Sequence, residues 1–113
     1  MIDKHGAKHY TWGDNCQSWV LADSPELSVK QEMMPPGAKE QLHYHNHVQQ
    51  FFFILKGIAT FYCNGRKNVV SMQQGITIAP KIKHYIANET NSELEFLIIS
   101  QPSTNRDRIN CEL

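Results

Sequence analysis

Residues 43–57 read HYHNHVQQFFFILKG, and this stretch decides the fold. Its first half sets His43, His45 and His47 at alternating positions and follows them with Gln49 and Gln50. Imidazole and amide oxygen are residue chemistries that bind a transition metal. Its second half, Phe51 to Leu55, is a run of five large apolar residues closed by Lys56-Gly57. A short apolar run bounded by turn residues reads as a buried strand. A polar cluster running straight into a core strand places a site inside a barrel or sandwich, not on a surface loop.

Working outward, short extended segments recur, each ended by turn chemistry. Upstream, Gln17–Ala22 reads as a strand broken at Asp23-Ser24-Pro25, because proline fixes its own φ and restricts the residue before it. Leu27–Met34 alternates, with Leu27, Val29, Gln31 and Met33 on one face and Ser28, Lys30, Glu32 and Met34 on the other. Pro35-Pro36-Gly37 stops it. Gln41–His45 and Gln49–Leu55 are the next two strands. Downstream, Ile58–Cys63 and Arg66–Met72 flank Asn64-Gly65, a dipeptide suited to the positive φ angles of a type I′ hairpin. Ile76–Ala79, His84–Asn88 and Leu94–Ser100 complete the set. Residues 1–16 are polar and rich in turn formers, and Pro102–Asn110 reads as an irregular tail. No stretch holds apolar residues at helical spacing over three turns. The expectation is an all-β sandwich or barrel.

Composition bounds the rest. A chain of 113 residues is expected to form one domain spanning 1–113, with the barrel core over roughly 17–101, and to bury a core without disulfides. Hydrophobic residues at 41% and charged residues at 19% exclude a disordered profile. The formal net charge of zero gives no push toward nucleic acid or membrane. No apolar run is long enough for a membrane-spanning helix. Cys16, Cys63 and Cys111 form no CxxC pair, and an odd count with no secretory leader fits reduced thiols in a cytoplasm.

The residues resemble those of the cupins, small double-stranded β-helix (jelly-roll) barrels. The first cupin motif is matched by Gly37, five residues, His43-Tyr44-His45, four residues, Gln50, six residues and Gly57. The second is matched by Gly75, Pro80, His84 and, after three intervening residues, Asn88. Two positions depart. Gln50 stands where many cupins have Glu, and the shorter turn before His84 has Ala79 and Lys81 where Pro and Gly are usual.

The resemblance implies His43, His45, Gln50 and His84 as ligands of one divalent transition metal; zinc, iron, nickel and manganese all suit such a set. Period-2 geometry by itself puts His43 and His45 on one strand face, with Gln50 sharing a face with Phe52 and Ile54. His47 also alternates with His43 and His45, so it is either a further ligand or a solvated turn residue, and Gln49 competes with Gln50, since a one-residue slip of register exchanges the two. The alternative is that these histidines are hydrogen-bonded core or rim residues with no metal. Gln50 binds through a neutral carbonyl oxygen, so the ion keeps its full charge.

Cupin resemblance implies a small-molecule ligand or substrate and a homodimer, with Tyr10, Trp12 and Trp19 either covering its interface or filling the domain's own core. Fold does not choose among a dioxygenase, an isomerase or epimerase, and a non-catalytic binding module. There is no room for a helix-turn-helix, and no phosphate loop or nucleophile elbow. Between Gln41 and Asn88 there is no Asp or Glu, while Lys56, Arg66, Lys67, Lys81 and Lys83 all fall there. A base from the central motifs is therefore a histidine, Tyr44, Tyr62, Tyr85 or a metal-bound hydroxide. Glu32 and Glu40 are the nearest carboxylates and are expected to be solvated. The basic excess is expected either to be solvated too, or to lie near the barrel mouth and attract a carboxylate or sugar acid. Cys63 reads as a small core residue.

Overall fold

The computed structural model describes residues 1–104 and 106–112. Eleven strands are present and, among the described residues, no helix: β1 (Lys8–Trp12), β2 (Cys16–Asp23), β3 (Ser28–Met34), β4 (His43–His45), β5 (Gln49–Lys56), β6 (Ile58–Cys63), β7 (Arg66–Ser71), β8 (Gly75–Ile78), β9 (His84–Ala87), β10 (Leu94–Gln101) and β11 (Arg108–Asn110). They form a six-stranded sheet in the order β1-β2-β3-β10-β5-β8 and a five-stranded sheet in the order β11-β4-β9-β6-β7. Every pairing is antiparallel. The all-β jelly-roll expectation holds.

Alternation builds the core between the sheets. On β5, Gln50, Phe52 and Ile54 are buried, while Gln49 and Phe51 are exposed. Leu94 and Phe96 on β10 and Ala59 and Phe61 on β6 meet them from either side. The Phe52 ring lies 4.9 Å from that of Phe61 at a steep angle and 5.9 Å from that of Phe96, spacings typical of favourable aromatic pairs. Asn64 and Gly65 both have positive φ, 49° and 79°, as the hairpin between β6 and β7 requires.

Two segments depart from expectation. Residues 8–12 form β1, which pairs with β2 from Lys8↔Val20 to Trp12↔Cys16. Residues 108–110, expected within an irregular tail, form β11 on the free edge of β4, with Arg108 opposite His45 and Asn110 opposite His43. Both are edge strands made of mostly exposed residues. Main-chain hydrogen bonds to a neighbour hold them, so they leave no apolar alternation in the sequence. Trp12 packs against the core cluster. Trp19 lies under the Lys4 ammonium and beside the His9 ring.

Candidate metal centre

β4, β5 and β9 bring the central residues together. His43 and His45 point inward from β4, and His84 opposes His43 across the β4–β9 pairing. All three are almost fully buried, and ligand nitrogens from the three rings lie within 4.8 Å of one another. The sequence separates His84 from His43 by forty-one positions; the sheet makes them neighbours.

Main-chain carbonyls fix the ring tautomers. His43 Nδ1–H donates to the Gln41 carbonyl at 2.8 Å, His84 Nδ1–H to that of Ile82 at 2.8 Å, and His45 Nδ1–H to that of Asp107 at 3.1 Å. A carbonyl can only accept, so each Nδ1 carries the proton and each Nε2 is left as a lone pair. The Nε2 atoms of His45 and His84 are buried with no partner, as is Oε1 of Gln50. Gln50 donates its amide nitrogen to Ser100 Oγ at 3.1 Å, which leaves the carbonyl oxygen as its free group. Buried acceptors without partners are rare in folded proteins. A set of unfilled acceptors in one place is what a cation site offers, so the residues present fit a divalent metal.

Burial also keeps the imidazoles neutral. Desolvation is the main cause that pushes His43 down to about 3 and His84 to about 4. His45 is lowered as well, chiefly by burial, against the opposing effect of its Asp107 partner. Neutral imidazole is the form that binds metal.

His47 lies exposed in the β4–β5 turn, and the Gln49 side chain faces outward. His5 and His9 are exposed, and His9 hydrogen-bonds Gln17. Sequence reasoning missed the residue that shapes this turn. The Asp107 carboxylate accepts the backbone N–H groups of Asn46, His47 and Val48 at 3.2, 2.9 and 3.1 Å. Burial acts to raise its pKa, yet these three bonds together hold it below the ordinary value.

A cavity of about 480 Å³ opens beside the histidines, lined among others by Trp12, Lys30, Glu32, Phe52 and Arg108. That size suits a small organic ligand. Glu32 corrects one expectation: it is 9% exposed and faces the cavity, because the inward face of β3 is Ser28, Glu32 and Met34. Desolvation raises its pKa. Glu40 is not solvated either. Its Oε1 accepts the Ile86 N–H at 3.0 Å, and burial pushes it up to about 8 against the nearby Arg108. Tyr44, Tyr62 and Tyr85 do not line the cavity; Tyr62 and Tyr85 stack on each other.

Of the two readings of the basic excess, the solvated one holds. Lys56, Arg66, Lys67, Lys81 and Lys83 are all exposed, and none lines this cavity. Its cations are Lys30 and Arg108. Cys63 is half-buried and packs against the core.

Known proteins share this architecture. The chain resembles a predicted oxalate decarboxylase of Thermotoga maritima (TM-score 0.83, 18% identity, 91% of this chain and 99% of that one). It likewise resembles the polyketide cyclase RemF of Streptomyces resistomycificus (TM-score 0.84, 15% identity, 100% and 85%). At such identity the likeness is one of fold. An uncharacterized protein of Methanocaldococcus jannaschii is 32% identical over 75 residues, 66% of this chain and 60% of that one. A second curated relative, from Vibrio cholerae, is matched over 21% of its length, so the chain spans less than two thirds of either. The profile of the Cupin domain matches residues 30–100, which hold both histidine motifs, the whole of β4 to β9 and most of β3 and β10. With the two-sheet barrel and the buried histidine cluster, that match makes this chain a member of the cupin family.

Proposed function

We propose that this cupin holds one divalent transition metal through Nε2 of His43, His45 and His84 and Oε1 of Gln50, and that it binds or transforms a small organic molecule in the adjoining cavity. One observation carries the reading: three carbonyl-anchored imidazoles present free nitrogens to a common point, beside an amide oxygen with no other partner. When bound, the ion supplies Lewis acidity and open coordination positions. The chain's own part is to hold the rings in one tautomer, to exclude bulk water behind Phe52, and to present Glu32 for proton transfer from the cavity wall. The ligand class is a carboxylate, carbonyl or sugar-like compound. The two solved structures named above have different activities in their names, so fold does not choose the reaction.

Elemental analysis of protein purified without a histidine tag tests the ligand set. One equivalent of metal is expected in the wild type and little in His43→Ala or His84→Ala; equal metal in all three ends the assignment. Oxygen uptake by iron-loaded protein, over a panel of carbonyl compounds, separates an oxygenase from an isomerase or a binding module.

The assembly expected is a homodimer through sheet edges. β1 and β11 end their sheets and expose Tyr10 and Ile109, and uncovered edges invite pairing. A monomeric elution at micromolar concentration removes this claim. The location proposed is the cytoplasm, where the three cysteines stay free.

A further inference from the structure

The proposed ion and the cavity beside it are unbalanced in charge. Three imidazoles and an amide oxygen are all neutral ligands, so a divalent ion on them keeps its full charge in a buried setting. An uncompensated buried charge is strongly unfavourable unless an opposite charge joins it. The cavity wall does not provide enough. Its formally charged residues are Lys30, Glu32 and Arg108, two cations against one carboxylate.

Arg108 is held ready. It stands opposite His45 in the β11–β4 pairing. Its Nε–H donates to Asn110 Oδ1 at 2.9 Å, its Nη2 reaches the Gln41 carbonyl at 3.5 Å, and the Glu40 carboxylate is 3.8 Å from Nη1. The last distance is too long for a charge-assisted hydrogen bond. The guanidinium is therefore oriented, incompletely neutralised and open to solvent on one side, with its side chain 41% exposed. Lys30 is less available, since its ammonium donates to the Tyr10 hydroxyl at 2.9 Å and lies over that ring.

A separate observation points the same way. Trp12 lines the cavity, and its indole Nε1–H is buried with no acceptor. This group can only donate, so an acceptor is the partner it lacks.

Building on the metal reading above, we infer that the cavity is a site for a small carboxylate bearing a second oxygen, of the 2-hydroxy- or 2-oxo-acid class. Arg108 and Trp12 recognise its anionic end, and the second oxygen faces the histidines. Specificity for an anion follows from the neutral ligand set, in which Gln50 is the decisive member.

Titration of Co(II)-loaded protein with lactate, with pyruvate and with the neutral isostere lactamide tests this, read by calorimetry and by the visible Co(II) spectrum. Lactate or pyruvate is expected to bind at least tenfold tighter than lactamide and to perturb the spectrum. Arg108→Gln is expected to weaken carboxylate binding at least tenfold with Co(II) content no lower than wild type, and Arg108→Lys to restore part of it. Trp12→Phe, which keeps the ring and removes the donor, is expected to weaken it severalfold. Full Co(II) loading with equal affinity for lactate and lactamide, or with no effect of Arg108→Gln and Trp12→Phe, overturns the anion site and leaves the metal reading standing. Folded wild type that takes up no Co(II) overturns both.

Discussion

His45 and Asp107 are tied together through the main chain: the Nδ1–H of His45 donates to the Asp107 carbonyl at 3.1 Å. The carboxylate of the same Asp107 takes three successive N–H groups from residues 46–48. One residue thus orients an imidazole at the end of β4 and shapes the turn that leads to Gln50 on β5. The segment that brings it there pairs β11 with β4.

Asp107→Ala removes all three of these hydrogen bonds from the turn while leaving a main-chain carbonyl for His45. Outer-shell changes of this kind cost about 10- to 100-fold in metal affinity. Chelator competition on the wild type and the variant is expected to show a loss in that range. Asp107→Asn keeps one oxygen acceptor and is expected to fall between them. Unchanged affinity in Asp107→Ala means that the turn needs no such support.

Gln50→Glu is expected to tighten metal retention by about tenfold or more, because ligand charge count sets affinity at a hard-donor site. Ser100 Oγ, which now accepts from the Gln50 amide, has a hydroxyl proton to offer the new carboxylate, so the change fits the pocket. On the charge reading, the variant binds carboxylates less well than the wild type. The same titrations check both effects; a variant with wild-type metal affinity contradicts the first.

Glu40 sets a pH dependence. Burial lifts its folded-state value from 4.5 to about 8, with Arg108 opposing. Below about pH 4.5 both folded and unfolded chains hold the proton, and the stabilisation is fully present. As pH rises the unfolded chain releases it first, so stability declines toward pH 8 and the contribution is lost above that. The span is on the order of a few kcal/mol at most. Melting temperatures of chelator-treated protein between pH 5 and 8.5 are expected to fall for the wild type and to stay flatter for Glu40→Gln, whose amide oxygen still accepts the Ile86 N–H. Parallel curves rule out this assignment.

Gly57, the last residue of the first motif, is a steric position. Its φ is +87°, and an added Cβ comes 2.6 Å from the Glu93 carbonyl oxygen and 3.3 Å from Leu94 Cα. Both are backbone atoms and cannot step aside. Gly57→Ala is expected to cost about 2 kcal/mol or more. Gly37, at φ +80° with nothing within 4 Å of the added carbon, incurs only the left-handed backbone cost of about 1–2 kcal/mol in Gly37→Ala. Urea midpoints at constant slope rank the two; equal losses remove the steric account.

The sequence by itself determined the class of fold and the location of the histidines. Alternation through Gln50, Phe52 and Ile54, the turn at Asn64-Gly65, and the shared strand face of His43 and His45 are local signals, and each needs only neighbouring residues to be read; His84, forty-one positions from His43, is reached only through the resemblance to the second cupin motif. The tertiary structure decided which face of β3 is the inner one. Its more apolar face, with Val29 and Met33, is not the inward one. Glu32 and Met34 point inward because that face borders a polar cavity as well as the core. Period two says which residues share a side, never which side is inside. The tertiary structure alone also placed Trp12, Asp107 and Arg108 at the site. β1 and β11 are held by main-chain pairing at sheet edges, and main-chain hydrogen bonds need no particular side chain, so the sequence there carries no trace of the partner strand.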